Sequence, residues 1–327
     1  MLSSHQLNGA SRKALQGTAG RKAVAKQDST FKALFFAAVR FYISAMENLF
    51  IQYEATMRLA AFLGMFALIA GAEIIRPRRA DVDRRHRWPL NLGMVMLGSL
   101  SLRALGPLIA VSAAIWAHKH DIGLFHALDW PHGIEIFLMV VLLDLAIYAQ
   151  HVAFHKIPFL WRLHRMHHAD LSLDVTSGLR FHPLEYLLSM LIKSAVVVAL
   201  GADLLAVILF EILLNATAMF NHGNLRLPRR LDRFLRRLIV TPDFHLVHHS
   251  VTRDEHDRNY GFNLPWWDYA FKTYKAAPDL GVDGMIIGLK PWRRQKELGF
   301  WPLMMMPFLS DNLDDGKKPD EGMRTDS

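Results

Sequence analysis

The 327-residue chain has no cysteine. That excludes thiolate metal ligands, cysteine nucleophiles, cysteine-held iron–sulfur clusters and disulfides, and it leaves the redox compartment undefined. Charge is also scarce. Asp, Glu, Lys and Arg make up 21% of the residues, against about 25% in ordinary soluble domains. With 52% apolar residues and a mean hydropathy of +0.14, the composition excludes a disordered or disulfide-stapled protein. Several motifs are missing as well: there is no HExxH zinc-protease helix, no GxSxG serine elbow and no GxGxxG dinucleotide loop. The first thirty residues carry Arg12, Lys13, Arg21, Lys22 and Lys26 and lack the apolar stretch of a signal peptide.

What is abundant is long apolar sequence. Runs at 59–75, 90–116, 134–148, 184–200 and 204–220 approach the roughly 20 residues that cross a bilayer. The second contains Arg103 and the third Asp144. The last two are separated only by Gly201, Ala202 and Asp203, which predicts a tight hairpin; Lys193 and Glu211 within it could mark function, snorkel to the interface or pair across it. A further run at 31–51, broken by Arg40 and Glu47, could cross the membrane or lie in its interface. The expected fold is all-α: a multi-pass transmembrane helical domain of about four to six spans under a histidine-rich helical cap. The pieces are a basic polar segment (1–30), an N-terminal membrane region (31–133), a histidine-bearing unit (134–275) with its membrane hairpin (184–220), an interfacial segment (276–310) and a disordered tail (311–327).

Lys plus Arg number 38 against 30 acidic residues, a net charge of +8. The excess is concentrated beside the spans. Six arginines lie between 76 and 87, and Arg226, Arg229, Arg230, Arg233, Arg236 and Arg237 form a second run. Cytoplasmic loops are enriched in this way, so both runs are expected on the cytoplasmic side, in the inner membrane if the source is bacterial. Anionic headgroups suffice as the partner of that charge. No nucleic-acid-reading module is visible.

Histidine is the unusual entry, at 17 residues. Eight fall into three groups: His151 and His155; His164, His167 and His168; His245, His248 and His249. Residues three and four apart share one helix face, so each group can aim its imidazoles at one centre. Neutral imidazole suits Zn, Fe, Cu or Ni. Eight ligands are too many for one metal and fit two. His222, just after the fifth run, can join from the same end. His182 in RFHPLE is a possible ligand or a structural residue. His256 falls outside the repeated spacing. Neutral imidazoles leave metal charge uncompensated, and Asp144 is the first carboxylate to consider, since 144, 148, 151 and 155 form one helical stripe. Asp144, Asp170, Asp174, Asp243 and Asn259 are candidates to hydrogen-bond the ligating rings. Alternatives to an oxidative enzyme are a zinc-dependent membrane lipid hydrolase and a non-enzymatic metal-binding membrane protein. A transporter would place its ligands near the midplane, whereas these lie at loop ends.

The spacing HxxxH, HxxHH and a late HxxHH resembles the sterol desaturase / fatty acid hydroxylase superfamily of membrane non-haem di-iron enzymes. DLAIYAQH, LRFHPLE, FNHGNLRLP, TPDFHLVHHS, NYG and LPWWDYAFKTY, between 144 and 274, strengthen it. The resemblance implies a catalytic domain over 134–275 and metal ligands His151, His155, His164, His167, His168, His222, His245, His248 and His249. It also implies two Fe ions, O2 as cosubstrate, and hydroxylation or desaturation of a membrane lipid: an acyl chain, a sterol or a related isoprenoid or aminolipid. Ala218 stands one turn before His222, where many relatives carry another histidine, so a ten-histidine set is not expected. No fused His-Pro-Gly-Gly haem domain is present. The two electrons are therefore expected from a separate ferredoxin or cytochrome, which the 226–237 run could dock, though headgroup contact suits that run at least as well. Trp161, Phe181, Trp266 and Trp267 could border the lipid's route or anchor at the interface.

Overall fold

The structure is a computed structural model that describes residues 52–309, apart from Asp81, Leu105, Pro107, Leu108 and Asp129. The expectations for 1–30, 31–51 and 311–327 lie outside the described residues. Within them the chain is helical, and β pairing is confined to the isolated bridges Pro77–Leu225 and Ser250–Ile287.

The helices are α1 (Glu54–Ile75), α2 (Arg84–Ala104), α3 (Ala110–Lys119), α4 (His132–Lys156), α5 (Pro158–His168), α6 (Pro183–Leu200), α7 (Leu204–Asn221), α8 (Arg229–Leu235) and α9 (Pro242–His248). Among the described residues α1, α4, α6 and α7 are long and apolar enough to cross a membrane. The run at 90–116 is not one span. It divides into the end of α2 and most of α3, with Gly106 between them at φ 55°, a left-handed conformation that ends a helix cheaply only at glycine.

Elsewhere the helix ends follow from particular residues. Gly201 caps α6 at φ 65° and ψ 44°, and Asp203 opens α7 by accepting from Leu205 N (2.7 Å) and Ala206 N (3.3 Å). The three-residue GAD linker therefore supplies both a stop and a start. Gly123 meets it from the loop after α3: a Cβ there would lie 2.0 Å from Gly201 N. Glycine is required at 123 by that approach. Met139 and Leu143 of α4, Val197 of α6, and Ala206, Val207 and Phe210 of α7 form the buried core of the bundle. Lys193 pairs with Glu211 across the hairpin at 2.5 Å, and Arg58 joins at 2.9 Å, so the carboxylate buried in the span is compensated.

The connections set the site. The chain reaches one end of the bundle at the C-termini of α1, α4 and α7 and at the N-terminus of α6. There α5, the 169–182 loop and residues 222–309 build a cap. Buried Glu73, near the end of α1, accepts from Val175 N (2.7 Å) and Asn224 N (2.8 Å) and so ties α1 to two cap loops. The arginine-rich 76–87 loop enters the same cap. Arg78 pairs with Asp243. Arg79 donates to Val282 O and Met285 O at 2.8 and 3.0 Å, and Arg87 is buried against Asp170 and Asp174. Three of its six arginines thus act as internal struts.

Candidate metal centre

Nine imidazoles from four elements meet at that end. His151 and His155 sit one turn apart near the C-terminus of α4. His164, His167 and His168 end α5, where Pro158 and the preceding extended Ile157 turn the chain back. His222 is the C-cap of α7. His245 and His248 lie on α9, which starts at Thr241 with Pro242 in its first position, and His249 is its C-cap. All nine are buried.

They fall into two adjacent nests. His151, His155, His164, His168 and His248 each offer a ring nitrogen within 4.8 Å of the others, and so do His167, His222, His245 and His249. In the first nest the Nε2 of His151 lies 3.2 Å from that of His164 and 3.0 Å from that of His248. In the second, the Nε2 of His222 is a hub, 3.0 Å from His167 and 3.2 Å from both His245 and His249.

The opposite ring nitrogens fix the tautomers. Nδ1–H donates to Tyr260 O from His151, to Arg258 O from His248 and to Ala218 O from His222, each at 2.7 Å, and to Arg180 O from His167 at 3.2 Å. Nε2 of these rings then carries a lone pair. Two lone pairs 3.0 Å apart repel, and a cation about 2.0–2.1 Å from each nitrogen reconciles them. The Nε2 of His168 and both nitrogens of His155 are buried without a hydrogen bond, and unpaired buried polar atoms of this kind need a partner. The donor set therefore fits two metals of an imidazole-binding type.

Burial also keeps the rings neutral. It lowers His164 to about 3 and His222 to about 4, and holds His167, His168, His245, His248 and His249 well below 6.5. Rings that resist protonation when folded but accept protons when unfolded bind more protons in the unfolded state below pH 6.5. Stability is therefore complete above that pH and is lost as pH falls toward the folded values. Metal-free protein should show a thermal midpoint at pH 5 clearly below that at pH 7.5, measured by scanning fluorimetry. An unchanged midpoint would contradict the packing of neutral rings.

The other sequence candidates take various places. Asp144 accepts from Asn263 N (3.3 Å), Leu264 N (3.2 Å) and Trp267 Nε1 (2.8 Å), so it fastens the 263–267 segment to α4. Asn259 acts through the backbone. Its φ of 54° places the carbonyls of Arg258 and Tyr260 on either side to meet His248 and His151. Its amide donates to Phe244 O and Lys275 O and accepts from Lys275 N. Asp170 and Asp174 hold Arg87, and Asp243 holds Arg78. His182 caps α6 by accepting from Leu184 N (3.1 Å) and donates from Nε2 to Met304 O (3.2 Å), so both nitrogens are engaged outside the nests. His256 stacks on Trp161 at 5.5 Å and lies within reach of His155 and Asp257.

One residue was not singled out from sequence. Glu185, buried in the first turn of α6, accepts from His164 Nδ1 at 2.7 Å. It stands in the LRFHPLE segment, three residues after the helix cap, where an acidic side chain is ordinary helix-start chemistry. Gly178 is likewise silent in the sequence. A Cβ there would lie 2.4 Å from Ala218 O and 3.2 Å from His222 Nδ1, and that carbonyl orients His222. Gly178→Ala should lower metal content toward one per chain while membrane insertion stays intact. Full loading, measured by plasma emission, would show that the contact does not matter.

Residues 136–273 match the family model "Fatty acid hydroxylase". The chain is similar to the ornithine lipid hydroxylase OlsE of Rhizobium tropici, 27% identical over 216 residues, which cover 64% of this chain and 60% of that protein. It is also similar to the alkylglycerol monooxygenases of Homo sapiens (26% over 147 residues, 43% of this chain and 31% of that protein) and Danio rerio (24% over 176 residues, 52% and 36%). The chain thus spans less than two thirds of the length of these relatives. No solved structure is significantly similar to it.

Proposed function

We propose, from the premise that residues 136–273 are a fatty acid hydroxylase family domain, that this protein hydroxylates a membrane lipid with O2 at a centre of two irons. The observation that carries this reading is the pair of buried nests, nine imidazoles at one end of four membrane-length helices. His151, His155, His164, His168 and His248 would hold one iron, and His167, His222, His245 and His249 the other. When bound, the irons supply the activation of O2 by two electrons, so that R–H + O2 + 2e⁻ + 2H⁺ gives R–OH + H2O. The electrons come from a separate ferredoxin or cytochrome. The protein's part is to orient the rings through carbonyls 180, 218, 258 and 260, to keep them unprotonated, and to exclude water by burial.

The two types of relative are named for acting on an ornithine lipid and on alkylglycerols, and they support a membrane lipid as substrate here. Helix arithmetic supports a position near the headgroup. His151 lies 19 residues from the start of α4 and His222 18 from the start of α7. At 1.5 Å per residue these are about 27–29 Å, nearly the full thickness of a hydrocarbon core of about 30 Å. The nests therefore sit at the membrane boundary, which we place on the cytoplasmic side beside the arginine runs. On α8 and just beyond it, exposed Leu231, Phe234 and Leu238 alternate with exposed Arg230, Arg233 and Arg237. That amphipathic face suits a lipid surface. A zinc hydrolase is disfavoured because catalytic zinc takes about three protein ligands and keeps an open position.

The test is turnover of iron-loaded protein in nanodiscs with a chemical reductant, lipid extract and ¹⁸O2. One ¹⁸O in a lipid, within a few bonds of the headgroup by fragmentation, is expected. Oxygen uptake with no label in lipid, or stable zinc with no uptake after iron loading, would overturn the reading.

A further inference from the structure

The nests differ in two ways that the family match does not record. The first has five imidazoles and the second four. The first also has an acidic partner: Glu185 Oε1 lies 2.7 Å from His164 Nδ1. Asp257 Oδ1 lies near His155 Nδ1 at 3.6 Å, beyond hydrogen-bond reach, and Asp257 pairs with Lys156 at 2.8 Å. In the second nest the partners of His167 and His222 are neutral carbonyls, Arg180 O and Ala218 O. Ala218, one turn before His222, offers no side-chain donor. A carboxylate behind an imidazole raises the ring's basicity. In a buried site its charge also offsets that of a bound cation. Glu185 Oε2 has no hydrogen-bond partner.

From this we infer that the two metal sites are inequivalent: the five-histidine nest takes its metal first and more tightly, Glu185 being the positioning residue that sets this order, and the four-histidine nest keeps positions open to a small exogenous ligand. The inference rests on the proposed function only in taking the nests as metal sites.

The experiment is an anaerobic titration of metal-free protein in detergent with Co²⁺, followed by visible absorption and chelator competition. Wild type should load in two resolved steps. The first should give the weaker absorption of a higher-coordinate ion and the second the stronger band of a four-nitrogen site. Azide should alter only the second. Glu185→Gln should weaken the first step 10–100-fold, the range usual for outer partners of metal ligands, and leave the second unchanged. Glu185→Asp should recover part of the loss. Asp257→Asn, at a more exposed position, should weaken the first step less and gives a second readout should Glu185→Gln fold poorly. A single unresolved step in wild type, equal weakening of both steps by Glu185→Gln, or azide acting on the first ion would overturn the inference. Two resolved steps in a protein that forms no labelled lipid would uphold it and count only against the proposed reaction.

Discussion

Replacing His222 by alanine is expected to release one of the two metals and to lower lipid hydroxylation by more than the 10–100-fold typical of losing an outer partner. The Nε2 of His222 stands 3.0–3.2 Å from three other ring nitrogens, and no other imidazole of the second nest is tied to as many. Its own Nδ1–H is held by Ala218 O, which fixes the ring with Nε2 turned into the nest. His182→Ala is the matched control. It removes a buried histidine from the same cap, but one whose nitrogens serve Leu184 N and Met304 O. It should cost about 1 kcal/mol as a lost helix cap and leave two metals bound. Equal metal loss in both variants would refute the distinction.

Arg87→Leu carries the largest expected effect on folding. The Nε and Nη2 of Arg87 each reach Asp170 at 2.8 Å, and Nη1 reaches Asp174 at 2.5 Å. All three side chains are buried, and Ser172 O and Ser177 Oγ complete the arginine's bonds. Removing one partner of such a cluster strands the others and costs about 3–5 kcal/mol. The stranded carboxylates lie in the loop that runs from His168 to Arg180, whose carbonyl holds His167. Loss of stability should therefore be accompanied by partial loss of metal. The check is the thermal midpoint in detergent with and without added iron. A midpoint within experimental error of wild type would show that the cluster contributes no net stability.

How far the sequence discloses this arrangement depends on the range of the contact. Histidine spacing is local, so a shared face is legible from HxxxH and HxxHH, and GAD at 201–203 spells out a helix stop and start. The division of 90–116 is also local in cause, through Gly106. Its apolar composition disguised it. Contacts across tens of residues are different. Glu185 meets His164 only because α5 turns back beneath the start of α6, and in isolation it looks like a helix-start acid. The arginines of 76–87 read as a membrane-side charge pattern, yet Arg78, Arg79 and Arg87 reach partners 83–206 positions away. Asp144 shares the stripe of His151 and His155, but its hydrogen bonds go to a segment over a hundred residues later. Periodicity reports which face a residue shares. It does not report what the rest of the chain brings to that face.

The central claim is that nine imidazoles hold two irons in adjoining nests. Iron content and X-ray absorption of anaerobically loaded protein test it most directly. The account predicts two irons per chain with a first shell of imidazole nitrogen, falling to about one in His222→Ala. Protein that stays folded in iron excess yet binds none, or whose iron shows no imidazole shell, would contradict it.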